Sequence, residues 1–406
     1  MESPRDLVSQ EEGELYDLVL KGGTVVDPSQ EIHEVLDVAV QAGAIAALRP
    51  GIPTDEAREI LDLSGKLVTP GLVDLHSHVY WGGTGLGVLP DRVASETGVT
   101  TFVDAGSAGA GNFLGFKEHV IERSGARIYA FLHIAYQGLT ATVYAPESFA
   151  IVGETFDLRH AMLIPAIEVG RAFPDLVRGI KVRLSLESSG DQGLKPLGLA
   201  LQAAEALGVP VMVHVGPPPP STPEVLSLLR RGDILTHVYR GEPNCMLDRE
   251  GRVRRELVDA RARGVIMDVG HGGGSFAWSV AERALQQGFM PDVLSSDIHR
   301  GLTAKTTRWS GMPAQNQPAT LSKFLSLGLS LDDVILASTL NPARAIGLED
   351  QAGSLREGSN ADIAVFQVEE GEFEFSDSFD GNMTGSKRLR PLLTLIGGKV
   401  LSRRSE

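Results

Sequence analysis

The pattern of apolar and polar positions changes rhythm twice along this chain. From Tyr16 the run YDLVLKGGTVVDPSQ alternates apolar and polar residues across a Gly-Gly break, which predicts a β-hairpin. VLDVAVQAGAIAALRP repeats the alternation around Gly43, and ILDLSGKLVTPG adds a further short strand pair. The same kind of text returns near the other end, in NADIAVFQV and RPLLTLIGGKVLSR. A small β domain, a flanking sandwich assembled from both termini over residues 16–69 and 351–406, accounts for that return. Residues 1–15 are polar and acidic and are expected to form a loose tail.

Residues 70–350 read differently. Short apolar, β-branched runs recur in the order GLVDLHSH, TTFVDAG, RIYAFLHI, GIKVRLS, PVMVHVG, DILTHVY, VIMDVGHG and DVLSSDIH. Amphipathic stretches separate them, such as LGLALQAAEALG, where Leu199, Ala203 and Leu207 mark an apolar stripe. RRELVDARARG and FAWSVAERALQQG carry similar stripes. Strands alternating with helices imply parallel strands joined by crossovers. Eight such units fit a (β/α)8 TIM barrel, whose usual size is about 250 residues. On periodicity alone a doubly wound open sheet is the alternative.

Composition narrows the class. With 42% hydrophobic and 22% charged residues and no low-complexity tract, the 406 residues suit a globular chain large enough for a barrel and a smaller domain. The net charge of −15 argues against nucleic acid and anionic membrane surfaces as partners. It does not argue against a small anionic substrate, because a nearby metal ion outweighs a distant surface field. The single cysteine, Cys245, excludes an intramolecular disulfide. No basic and apolar leader and no membrane-length apolar run is present, so a cytoplasmic protein is expected.

The candidate chemistry sits at strand ends. His76 and His78 close the first barrel strand, and residues i and i+2 of a strand share a face, so both rings can meet one ion. Alone the pair says little: 10 histidines in 406 residues supply about 0.25 such pairs by chance. Asp74 lies on the same face, either to accept a ring N–H or as a buried strand-end acid. His214, His237 and Asp297 lie at or near the ends of strands five, six and eight, where barrel active sites are built. His133, His271 and Asp104 also sit at strand ends, so position alone does not make a ligand. Lys181, on strand four, reads either as a lysine paired with an acid or snorkelling to the rim, or as a buried neutral amine. A neutral amine can add carbon dioxide and become a carbamate whose two oxygens bridge two cations.

DLHSH on strand one, Lys181 on strand four, His214 and His237 on strands five and six, and Asp297 on strand eight together resemble the two-metal amidohydrolase superfamily. The entry phrase KLVTPGLVDLHSH, the exit phrases NPARAIGL and GSLREGSNADIAVF, and the β domain from both termini are similar too, so the resemblance spans the chain from Tyr16 onward. It implies one metal on His76, His78 and Asp297, a second on His214 and His237, and carboxylated Lys181 bridging both. Two divalent cations follow, zinc being the usual choice, although such ligands also admit manganese, iron or cobalt. The implied reaction is hydrolysis of an amide, ester or cyclic amide by a metal-bridged hydroxide. Asp297 would serve as general base and then acid, or only as a ligand.

Within the superfamily, dihydroorotases usually carry an arginine two residues after the second histidine; here that position is Tyr80. Hydantoinase-type enzymes share the ligands and remain open. VDAGSAG, KVR, VHVGPPP, DVGHGGGSF and SSDIH are closer to a deacetylase-like, dihydroorotase-like branch, whose known activity includes removing acetyl groups from small hydroxy acids. A small carboxylate-bearing ester or amide is therefore the expected substrate class. Arg183 shares the inward face of strand four with Lys181 and either grips a carboxylate or pairs with a structural acid. His271, at the start of the HGGG loop, and Ser107 are further candidates for substrate contact. No G-x-S-x-G elbow and no dinucleotide-type glycine spacing occurs. A non-catalytic binding protein on the same fold would be expected to lack ligands, and all six positions are filled. The resemblance also makes a homo-oligomer the expected assembly.

Overall fold

The computed structural model of the chain describes residues 15–145, 148–300 and 316–403. All but the last residue of the expected tail, 1–15, lies outside them. Five strands come first: β1 (Leu18–Asp27), β2 (Ile32–Gln41), β3 (Ala44–Arg49), β4 (Ile60–Asp62) and β5 (Leu67–Pro70). Next are β6 (Leu72–Ser77), β7 (Val99–Gly109) and β8 (Arg127–His133), then a small antiparallel hairpin of β9 (Thr142–Ala145) and β10 (Ser148–Ile151). β11 (Val177–Leu184), β12 (Val211–Val215), β13 (Ile234–Leu235) and β14 (Ile266–Met267) follow. The last three are β15 (Ile363–Ser376), β16 (Asn382–Ile396) and β17 (Lys399–Arg403).

β6 to β8 and β11 to β14 are parallel and lie side by side in chain order. Every residue of β6 and β7 is buried, as expected of strands covered on both faces. Segment 292–299 takes the eighth place without a ladder of its own. Parallel bridges join Val293 to Asp268 on one side and Ile298 to Ser77 on the other. The N–H of His78 donates to Ile298 O, and that of Asp297 to His76 O, so the ring closes at the ligand-bearing end. Gln317 reinforces the seam below: its buried amide donates to Val73 O at 3.1 Å and to Leu294 O at 3.0 Å. Closure excludes the open doubly wound sheet.

Strands six to eight are shorter than their apolar runs predict, for a local reason. DILTHVY pairs only over Ile234–Leu235, and His237 beyond it has φ 65°. A left-handed residue turns the chain out of the pleat, so the ladder ends where the site begins.

Helices cover the outside. The helix Lys195–Leu207 opens with Pro196 in its first turn and stops at Gly208, whose φ of 69° suits a left-handed cap. It buries Leu197, Ala200, Ala203 and Ala204, while Leu199 and Leu207 form half-buried shoulders of that stripe. Leu207 is drawn aside by Gly170 of the helix Leu163–Ala172, where a Cβ would sit 2.4 Å from the leucine methyl.

The termini meet in a separate sheet of order β17-β16-β15-β5-β1-β2-β3, with β4 also on β1. Its junction is the antiparallel pairing of β15 with β5, Val365 facing Val68. Leu20, Val25, Val38, Ile45, Val68, Ile363 and Leu395 fill its core. Arg127 at the start of β8 pairs with Asp362 at 2.6 Å and fastens this sheet to the barrel. The chain is thus a (β/α)8 barrel with a flanking β domain built from both ends. Among the described residues, no helix is long and apolar enough to cross a membrane.

Candidate metal centre

His76 and His78 leave the end of β6 beside segment 292–299, and the fit between the two is set by Asp74. Its carboxylate accepts from Ser296 N at 3.0 Å and also from the Ser296 hydroxyl, which clamps the residue preceding Asp297. Of the two roles open to Asp74, the structure supplies that of a buried acid holding the neighbouring strand.

The rings of His76, His78 and His237 are oriented from behind. Thr236 Oγ1 donates to Asp268 at 2.7 Å, so it accepts the proton of His76 Nδ1, 2.9 Å away. Ser295 holds the other Asp268 oxygen at 2.6 Å. His76 Nε2 is left as a lone pair, 3.4 Å from Asp297 Oδ1 and 3.4 Å from Lys181 Nζ. His78 Nδ1 rests on the Ser107 hydroxyl at 3.0 Å, which turns its Nε2 to within 3.1 Å of Asp297 Oδ1. His237 Nδ1 donates to Gly270 O at 2.6 Å, and its Nε2 faces His214 Nδ1 across 2.7 Å, close enough to share one cation or one proton. Such partners fix the tautomer and the direction of a ligand ring.

The backbone is shaped for this convergence. His237 and Asp297 have φ of 65° and 49°, a region that costs a residue with a Cβ about 1–3 kcal/mol. Gly270 (φ 45°) passes under the rings, where a Cβ would lie 2.1 Å from Thr236 Oγ1 and 2.9 Å from Nδ1 of both His76 and His237. At Gly272 a Cβ would lie 2.3 Å from Asp297 Oδ2.

Burial sets the charges. It drives His76 and His214 well below the ordinary imidazole value and His237 to about 3, so these rings are neutral near pH 7 and able to ligate. Lys181 is 1% exposed, and burial lowers its amine to about 7. Burial would raise Asp297, but its close approach to His76 and its hydrogen bond with His78 lower it on balance and keep the carboxyl ionised.

His76, His78, Lys181, His214, His237 and Asp297, drawn from five strand positions, all line one cavity of about 540 Å³. Single donor atoms of His76, His237 and Asp297 lie within 4.8 Å of one another, close enough to serve one cation or two adjacent ones. Neutral imidazole nitrogens with one carboxylate suit zinc or a similar divalent ion. A second sign of fit comes from His133, the register partner of Lys181 on β8. Its Nδ1 accepts from Ala135 N at 2.9 Å, so Nε2 carries the proton, and that buried N–H has no hydrogen-bond partner. The two side chains pack together over Gly106, and an added carboxyl group on Lys181 would bring an acceptor into this neighbourhood.

The substrate-contact candidates are placed unequally. Arg183 lines the cavity, but its guanidinium is paired at 2.6 Å with Glu154, itself 1% exposed, so the structural-acid alternative holds. Ser107 is fully buried behind His78 rather than on the cavity wall. His271 is also fully buried: its Nδ1 donates to Gly272 O, its Nε2 meets Lys323 Nζ at 2.9 Å, and its ring stacks on Phe276. It braces the glycine loop from behind, and Gly273, Gly274 and Ser275 are what the cavity sees. Thr236, Asp268, Glu154, Arg240 and His299 escaped the sequence reading. Asp268 and His299 stood in the quoted phrases DVGHGGGSF and SSDIH, and strand-end position was their one legible signal.

Comparison with known proteins bears on the family and the fold. A model of the amidohydrolase family matches residues 277–401. A deacetylase of Agrobacterium fabrum is 35% identical over 361 residues, spanning 89% of this chain and 85% of its own. A crystal structure described as an adenine deaminase has a TM-score of 0.85 at 30% identity and covers 95% of this chain and 99% of its own. One described as a dihydroorotase has a TM-score of 0.83 at 33% identity, covering 96% and 99%. These relatives carry three different activities at similar identity, so the fold by itself does not name the substrate.

Proposed function

We propose that this chain, which belongs to the amidohydrolase family, removes an acyl group, acetyl first among them, from a small carboxylate-bearing ester or amide. That it is a metal-dependent hydrolase acting on carbon–nitrogen bonds follows from the family; the acyl substrate is the finer reading. One observation carries it: six ligand-type side chains from separate strands line a single cavity of about 540 Å³, a volume suited to a small molecule.

His76, His78 and Asp297 would hold one divalent cation and His214 and His237 a second, with Lys181 between them. Zinc is the proposed metal. The Lys181 amine, neutral in part near pH 7, would form an N–C bond to carbon dioxide and lose one proton, leaving a carbamate with two oxygens to offer. Bound cations at such a site polarise a carbonyl and lower the pKa of water toward neutrality. Asp297 is the group this chain supplies for proton transfer. Held as a carboxylate beside His78, it takes a proton from the attacking water and returns it to the departing oxygen or nitrogen. One water is consumed, and acetate and a hydroxy acid or amine are released. Leu86, Leu139, Phe156 and Pro217 give the cavity an apolar side that limits stray water.

The deacetylase name of the Agrobacterium relative supports this reading. A cyclic amidase of the dihydroorotase kind is the second reading, prompted by the second structure. Against it, Tyr80 is buried on Phe116 with its hydroxyl on Asn112 O, so no cation stands where those enzymes usually carry arginine. The test is acetate release by metal-loaded protein from acetylated hydroxy acids and N-acyl amino acids, beside ring opening of cyclic imides. Turnover of cyclic imides alone would overturn the deacylase proposal, and activity that survives complete chelation would overturn the metal centre.

A further inference from the structure

Resting on that reading, we propose that Arg240 is the anchor for the substrate carboxylate, and that Arg183, the more obvious arginine, is not. Both line the cavity, but their charges are differently spent. Arg183 lies 2.6 Å from Glu154, which is buried and, among the described residues, pairs with no other cation, so the pair adds little net field. Taking Arg183 away toward a ligand would leave Glu154 ionised and unpaired in a dry place, which is strongly unfavourable.

Arg240 has no such commitment. Its guanidinium makes no hydrogen bond or ion pair with any described side chain, and its Nε is buried without a partner. Glu187 lines the same cavity and acts on Arg240 through space without reaching ion-pair distance. A guanidinium with its fork unfilled, on the wall of a concave site, suits a planar two-oxygen anion.

The backbone also holds Arg240 in place. Its N–H donates to His237 O at 3.0 Å, so the cation follows a ligand histidine by one tight turn. Asn244, four residues on, donates to Gly216 O at 2.7 Å and Pro220 O at 3.0 Å. That ties the Arg240 loop to the loop after His214, so the anchor and two metal-ligand candidates move as one piece. Arg240 lines the same cavity as His214 and His237, so acetylated 2-hydroxy and 2-amino acids, which carry a carboxylate beside the acylated atom, are the probes that test the anchor.

The test compares metal-loaded wild type, Arg240→Met and Arg240→Lys on the acetyl esters of lactate and lactamide. It also measures binding of lactate and lactamide by calorimetry. In Arg240→Met the ratio of kcat/KM for the acid over the amide is expected to fall roughly 10- to 100-fold, mainly through KM. Arg240→Lys, which keeps the charge and loses the fork, is expected to recover part of it. Metal content and melting temperature are checked first in each variant. An acid-over-amide ratio that is the same in wild type and Arg240→Met would overturn the assignment. If wild type cleaves neither ester, the deacylase proposal fails by itself, and calorimetry still decides: weaker lactate binding in Arg240→Met supports the anchor, equal binding overturns it.

Discussion

Replacing Thr236 by valine keeps the outline of the side chain and removes one oxygen. That oxygen accepts from His76 Nδ1 at 2.9 Å and donates to Asp268 at 2.7 Å, with all three residues buried. Its loss strips His76 of an acceptor and Asp268 of a donor where no water replaces them, and an unmet buried polar group costs about 1–3 kcal/mol. The His76 proton is then free to move to Nε2, the atom that faces Asp297. Supporting partners of this kind change metal affinity by about 10- to 100-fold, or about 1.4–2.7 kcal/mol. The assay is a zinc competition titration against a chromophoric chelator, with circular dichroism to confirm the fold. Thr236→Ser keeps the hydroxyl and is expected to stay within about threefold of wild type. If Thr236→Val binds zinc as tightly as Thr236→Ser, the Asp268–Thr236–His76 relay does not orient the ligand and the reasoning is wrong.

Other perturbations separate the parts of the site. Lys181→Ala is expected to lose the second cation and most activity, read by metal analysis; two metals retained would count against a bridging lysine. Gly270→Ala forces a methyl to 2.1 Å from Thr236 Oγ1 at a φ of 45°, and should destabilise the fold by about 2–3 kcal/mol in urea unfolding. Burial lowers both Lys181 and Lys323 from 10.5 to about 7. Between about pH 7 and 10 the unfolded chain therefore binds protons that the folded chain does not, so stability of the metal-free protein should rise with pH across that window. Lys323→Met, away from the cavity, should flatten part of that slope, and a stability curve as steep as that of wild type would sink the assignment.

Much of the site was legible because its signals are local. His76 and His78 share a face through the two-residue period of a strand, whatever the rest of the chain does. Lys181, His214, His237 and Asp297 stand in apolar runs whose length and spacing already imply parallel strands. The residues that hold the ligands were harder to see. Thr236 and Asp268 act on His76 from 160 and 192 positions away in the chain, and no local pattern links them. Glu154 lies in a loop outside any strand run, yet it decides what Arg183 can do.

The sequence by itself determined the alternation of strands and helices, the flanking β domain and a set of six ligand-type side chains, because hydrophobic period and residue chemistry are written position by position, whereas closure of the ring at segment 292–299 belongs to the tertiary structure. Direction was another matter. Ser107, His271 and Arg183 have the right chemistry at strand ends, but packing turned the first behind His78, set the second as a brace under the glycine loop and joined the third to Glu154. Arg240 carried no motif; its place on the cavity wall, with a guanidinium unpaired among the described residues, is visible only in the folded chain, where Asn244 ties its loop to the one after His214. A buried charge answers to every neighbour within a few ångströms, and only the closed barrel fixes which neighbours those are.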